Sequence, residues 1–170
     1  MSERMTVKKW IWVWEFDKEE RWLNTMAQEG WVLDGLGFCR YEFVRCQPGE
    51  YTVRLEMREH DAAYLNFMAD TGAEYVGRMM KWIYFRKKTA DGPFDLFSDT
   101  ESRIAHLDRM CRMLRVAGIA NLVIGLGNSL NPMLSSIGWL NLLCATVLMY
   151  ALGRIEGKKE AIEQDRLLLE

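Results

Sequence analysis

From Val116 to Gly153 the chain has no aspartate, glutamate, lysine or arginine, a run of 38 uncharged residues. A helix on the surface of a soluble protein carries charge on its outer face, so an ordinary surface helix is excluded there. Histidine is scarce: only His60 and His106 occur, in different regions. The four cysteines, Cys39, Cys46, Cys111 and Cys144, are scattered without a Cys-x-x-Cys pair. That spacing supports neither a zinc site nor a disulfide framework, and no metal is expected. A basic excess is missing too. Net charge is −2, and residues 1–100 hold 14 lysines and arginines against 17 acids. Nucleic acid, which calls for a strongly basic face, is not an expected partner. The opening Met1–Lys9 has no apolar core, so it does not read as a secretory signal.

Catalytic signatures are absent as well. Gly35-Leu36-Gly37 lacks the third glycine and the following helix of a phosphate loop, and no Gly-x-Ser-x-Gly elbow occurs. His60, next to Asp61, reads as the solvated neighbour of a helix cap. Glu19-Glu20 and Glu56-Arg58-Glu59 read as solvated charge. With no convergent set of titratable groups, no catalytic residue and no cofactor are assigned, and the chain reads as a non-enzyme.

What is present is a repeat. Trp22-Leu23-Asn24-Thr25-Met26-Ala27-Gln28-Glu29-Gly30 returns 42 residues later as Tyr64-Leu65-Asn66-Phe67-Met68-Ala69-Asp70-Thr71-Gly72. Each copy reads as an amphipathic helix stopped by glycine. Asp17, with Glu20 at capping-box spacing, and Asp61 are the expected caps. Lys9–Trp14 and the alternating Tyr51–Met57 read as strands, as do Trp31–Leu33 with Phe38–Cys46, and Ala73–Val76 with Lys81–Lys87. The expected fold is α+β: a ferredoxin-like sandwich from a duplicated β-α-β unit, followed by an all-α two-helix transmembrane hairpin. An offset of 41 aligns Trp10, Trp12 and Trp14 with Tyr51, Val53 and Leu55, which turns the tryptophans toward the helices. The open sheet face then carries Ile11, Val13, Arg40, Glu42, Arg54 and Glu56, with Trp82 and Tyr84 as possible additions. Arg40, Glu42, Arg54 and Glu56 are its interaction candidates.

Ala90–Pro93 reads as a linker and Ser98-Asp99-Thr100-Glu101 as a capping box that opens a helix, with a seam at Ile104, Leu107, Cys111 and Leu114. Asn131-Pro132 divides the uncharged run into two helices. The second is long enough to cross ~30 Å of hydrocarbon. Gly118, Gly125 and Gly127 allow close helix approach, and Asn121 and Asn141 are candidates for a hydrogen bond between helices. Arg109, Arg112 and Arg115 precede the first span; Arg154, Lys158 and Lys159 follow the second. The positive-inside rule then makes this a multi-pass cell-membrane protein with both termini cytoplasmic. Expected units are a cytosolic domain at 1–90, a linker and juxtamembrane helix at 91–113, the hairpin at 114–153 and a cytosolic tail at 154–170.

Several motifs carry a resemblance. They are Lys9-Trp10-x-Trp12-x-Trp14-Glu15 with Glu19-Glu20-x-Trp22-Leu23-Asn24-x-Met26-Ala27-x-x-Gly30-Trp31, then Arg40-Tyr41-Glu42-Phe43, Gly49-Glu50-Tyr51, Trp82-Ile83-Tyr84-Phe85-Arg86 and Phe97-Ser98-Asp99-Thr100-Glu101-Ser102. Over about residues 8–115 the chain resembles the bacterial family called domain of unknown function 2812. The resemblance implies a cytosolic domain followed by membrane helices, often encoded beside a PadR-type transcriptional regulator. It offers no catalytic residue to carry over. The expected partners are the lipid bilayer and a protein: a regulator, another membrane protein or a second copy of the chain. The expected role is sensory or regulatory. The alternative is a small-molecule or haem-binding module using the cleft between sheet and helices. The uncharged run predicts that the protein pellets with membranes and is released by detergent but not by high salt, as fractionation will show.

Overall fold

The computed structural model describes residues 3–97 and 100–167. They form two compact units divided between residues 98 and 99. The first unit runs β1 (Arg4–Lys8), α1 (Phe16–Gln28), β2 (Trp31–Gly37), β3 (Arg40–Arg45), β4 (Tyr51–Met57), α2 (Ala62–Asp70), β5 (Glu74–Met79) and β6 (Trp82–Lys88). These strands form two three-stranded antiparallel sheets, ordered β1-β3-β2 and β4-β6-β5. The domain is α+β, as expected, but the single ferredoxin-like sheet is replaced by two sheets with the same internal order.

The two halves follow one plan. Gly30 and Gly72 end their helices at φ 84° and 82°, a left-handed conformation that costs glycine nothing. A bulge interrupts β2 between Leu33 and Gly35, and another interrupts β5 between Tyr75 and Gly77. Two-residue turns at Phe38-Cys39 and Met80-Lys81 close the hairpins. Such turns need positive φ, normally supplied by glycine or asparagine. Here Cys39 (φ 53°) and Met80 (φ 56°) supply it, and the Phe38-Cys39 turn separates two paired strands where Trp31–Leu33 with Phe38–Cys46 reads as a bent strand.

Three expectations at the N-terminal end are corrected. The strand is Arg4–Lys8; the tryptophan segment contains a 3₁₀ turn at Val13–Glu15. Trp10 and Trp12 are 58% and 45% exposed, so they do not face the core. Helix α1 begins at Phe16 because this turn feeds directly into it, leaving Asp17 inside the first turn and not at the cap. Asp61, in contrast, caps α2 by accepting from the Ala63 N–H at 3.0 Å. Leu23, Ala27, Leu33, Phe43, Val53 and Leu55 form the buried centre, and Met68, Ala73, Ile83, Phe85 and Phe94 pack beneath α2. Phe94 lies past the expected boundary at residue 90, so core packing continues through the Pro93 region.

The second unit is a helical hairpin, α3 (Thr100–Ser129) and α4 (Ser135–Leu167). Ser98 and Asp99, the first half of the expected capping box, lie outside the described residues. The break falls at Asn131-Pro132, where the Asn131 side chain accepts from the Met133 N–H at 3.0 Å. Leu107, Cys111 and Leu114 of the expected seam are buried, together with Met110 and, on α4, Ala151, Leu152 and Ile155. Beyond the seam the helices approach through glycine. A Cβ on Gly138 would lie 2.6 Å from the Ser129 nitrogen, and one on Gly125 would lie 2.9 Å from the Leu142 side chain. Both helices are long and apolar enough to cross a membrane, and only 28% and 22% of their most apolar windows are buried. Their apolar side chains, among them Val123, Leu140, Leu143 and Trp139, face outward. Gly138→Val therefore lowers the thermal midpoint of the detergent-purified protein by several degrees. Gly127→Ala, with nothing within 4 Å of the new methyl, leaves it unchanged.

Candidate functional site

Helix α1 places Glu19, Leu23 and Ala27 on one buried stripe, at four-residue spacing. Glu19 is 7% exposed, so the reading of Glu19-Glu20 as solvated charge is overturned for Glu19. One oxygen, Oε1, accepts hydrogen bonds from the Tyr41 and Tyr84 hydroxyls, each at 2.7 Å. Tyr41 stands on β3 and Tyr84 on β6, so a single carboxylate oxygen joins the two sheets. These bonds offset the cost of burying the charge. Burial pushes both tyrosine hydroxyls well above their ordinary pKa, and the Glu19 charge pushes them further. They stay protonated at neutral pH, which suits a clamp and disqualifies them as bases or nucleophiles. Trp22 packs edge-on to Tyr41 and Phe43, at 5.0 and 5.7 Å between ring centres, with the Lys9 ammonium 4.1 Å above its ring.

The next face of α1 seals a sheet edge. β4 is an outer strand, and an unpaired edge invites another chain. Asn24 meets it as a backbone would: its Nδ2 donates to the Val53 carbonyl and its Oδ1 accepts from the Val53 N–H, both at 2.9 Å. Four residues earlier, Glu20 accepts from the Leu55 N–H at 3.3 Å and pairs with Arg54 at 3.2 Å. Burial raises the Glu20 carboxyl despite the opposing Arg54 charge. Arg54 also donates to the Phe94 carbonyl at 3.0 Å. Open grooves flank this arginine. One, of about 510 Å³, includes Thr52, Thr89, Pro93 and Asp95; the other, of about 460 Å³, includes Asn24, Thr25, Gln28 and Thr52. Of their polar groups, Asn24 and Arg54 are engaged in the bonds just described, Thr25 and Thr89 donate to the Arg21 and Gly49 carbonyls, and Asp95 accepts from the Phe97 N–H.

The four candidates assigned to an open sheet face are not brought together on one. Arg40 and Glu42 form an outward ion pair at 2.7 Å on β3. Arg54 belongs to the sealed β4 edge. Glu56 is buried and accepts from the Tyr64 hydroxyl at 2.8 Å, with Arg58 at 3.9 Å. Trp82 and Tyr84, also considered for the open face, are buried. In the hairpin, Asn121 donates to the Ala117 carbonyl of its own helix at 2.9 Å. Gly118 lies against Met149 and Gly125 against Leu142, a register that sets Asn121 across from the Ala145–Thr146 region and Asn141 across from the Leu126 region. Asn141 is half-buried. His60 is exposed, 6.4 Å from the Tyr75 ring. Among the described residues no group of three or more His, Cys, Asp or Glu side chains is placed to hold a metal.

Sequence reasoning passed over three residues that the fold uses. Glu19 had a readable signal, its helical spacing to Leu23 and Ala27. Tyr84 alternates with Trp82 and Arg86 along β6 and had none beyond that. Arg86 links β6 to β2 by donating to the Leu33 carbonyl at 2.9 Å, and it pairs with Asp34 at 3.2 Å and Glu74 at 2.7 Å. Burial alone would lower the Arg86 pKa; the two carboxylates more than offset that and raise it.

Two outcomes follow from this geometry. Asn24→Leu strands the Val53 N–H and carbonyl and lowers stability by about 1–3 kcal/mol in urea titration. The tyrosines give a pH dependence. In the unfolded chain they ionise near pH ~10, whereas the folded state keeps their protons, so stability falls as pH rises above that point. The slope is up to ~1.4 kcal/mol per pH unit for each tyrosine, and Tyr84→Phe removes one share of it.

Among the comparisons with known proteins, a family model alone gives a match. No curated protein and no solved structure matches the chain. The family described as "Protein of unknown function (DUF2812)" matches residues 15–119, a stretch that contains α1, α2, strands β2 to β6 and the first part of α3. The chain belongs to this family of unknown function.

Proposed function

We propose that this protein is a non-enzymatic, membrane-anchored interaction module with a sensory or regulatory role. The observation that carries the reading is the outward-facing apolar surface of α3 and α4, continuous with the 38-residue uncharged run. Leaving such a surface in water is unfavourable, and covering it with lipid removes that cost. The first unit supports the non-enzymatic part. Glu19, Glu20, Glu56 and Arg54 are committed to internal hydrogen bonds and ion pairs that hold the domain together.

Both ends of the hairpin lie in the cytoplasm in this reading. Its support is the placement of positive charge before α3's apolar part and after α4's, with none in the intervening turn. Arg115 pairs with Glu156 at 2.6 Å and Lys159 with Asp108 at 2.8 Å at that charged end. The protein partner is a regulator of the PadR type, a class to which only the family resemblance points. A green fluorescent protein fused after Glu170 fluoresces, and alkaline phosphatase fused there is inactive. Active phosphatase overturns the topology. Affinity purification in mild detergent recovers the regulator; repeated recovery of the chain without any regulator removes that partner.

A further inference from the structure

One end of the first unit is unusually apolar for a surface. Trp12 stacks on Trp14 at 4.8 Å, Trp10 meets Trp12 edge-on at 5.4 Å, and Phe38 meets Trp10 at 6.0 Å. Phe38 is 77% exposed at the tip of the β2–β3 hairpin. At the other hairpin tip, between β5 and β6, Met80 is 84% exposed. The two tips point the same way. Arg86 joins Asp34 of β2 to Glu74 of β5, and further along both strands Leu36 reaches Gly77, so β2 and β5 run side by side in one direction.

Positive charge surrounds this end. Lys8 is exposed and stands across from Arg40 in the β1–β3 register, and the Lys9 N–H bonds the Cys39 carbonyl in the β2–β3 turn. Lys81 occupies the second tip. Glu42 offsets Arg40, Glu59 offsets Lys81 and the Lys9 ammonium lies over the Trp22 ring, which leaves exposed Lys8, among the described residues, as the cation beside the tryptophans with no carboxylate paired to it. Exposed tryptophans with neighbouring lysines are the chemistry of a membrane interface: the indoles sit at headgroup depth, and the ammonium groups meet anionic lipid. A hairpin anchor would hold the domain at high effective concentration near that surface.

We propose that the Trp10–Trp12–Phe38 end of the domain, with the Met80 tip, docks onto the anionic lipid surface of the bilayer that the hairpin spans. This rests on the membrane anchoring proposed above.

The test uses the full chain with Trp139→Phe, which removes the hairpin's own indole. It is reconstituted into vesicles of brominated phosphatidylcholine, alone or with about one third phosphatidylglycerol. Tryptophan quenching is expected to be at least twofold stronger in the anionic vesicles. Phe38→Ser with Met80→Ser abolishes that excess, and so does Lys8→Glu, with unchanged circular dichroism. These three positions are exposed, so the fold is retained. Equal quenching in the two lipids, or an excess indifferent to these substitutions, overturns docking while flotation with the vesicles still upholds the anchor. Loss of flotation overturns both. Quenching that falls as the protein-to-lipid ratio rises overturns lipid docking in favour of contact with a second copy.

Discussion

A buried carboxylate governs the first unit. Glu19 accepts from two tyrosines that belong to different sheets, and α1, which carries it, is packed against strands of both halves. Each half contributes a three-stranded sheet and one helix. The carboxylate converts two such pieces into one domain. Its geometry is demanding, since a buried charge that lost its donors would be costly.

The same helix explains why the halves are not interchangeable. Asn24 binds the Val53 backbone on β4, whereas Asn66, its counterpart 42 residues on, is exposed on α2. The strand that would answer to β4 in the first half is displaced toward the N-terminus, to Arg4–Lys8. The tryptophans after it are then left outside the sheet. One asymmetry thus has two results: α1 is a sealing helix, and the domain has an aromatic end. Arg86 completes the junction between the sheets with two carboxylates and a carbonyl where β2 and β5 are bulged. Its charge-assisted bonds stand in for a regular ladder.

Much of the architecture was readable. The glycine stops at Gly30 and Gly72, the Asp61 cap, the alternation of Tyr51–Met57 and the break at Asn131-Pro132 are local signals, and each has a local physical cause. The candidate site was far less readable. Arg40, Glu42, Arg54 and Glu56 were grouped by alternation on an assumed single sheet. With two sheets they separate into an exposed ion pair, an edge seal and a buried acceptor. The β2–β3 turn was missed because Cys39 adopts positive φ without being glycine or asparagine.

The sequence by itself determined both repeat helices with their glycine stops, the strand Tyr51–Met57, the two-part division of the chain and the apolar hairpin. These depend on period, composition and the conformational limits of glycine and proline, which act over a few residues. Only the tertiary structure decided which strands pair, that Glu19 is buried between Tyr41 and Tyr84, and that Trp10 and Trp12 face solvent. Strand pairing and burial are set by contacts between residues 20 to 65 positions apart, such as Glu19 with Tyr84. No local pattern encodes which of several apolar faces will meet.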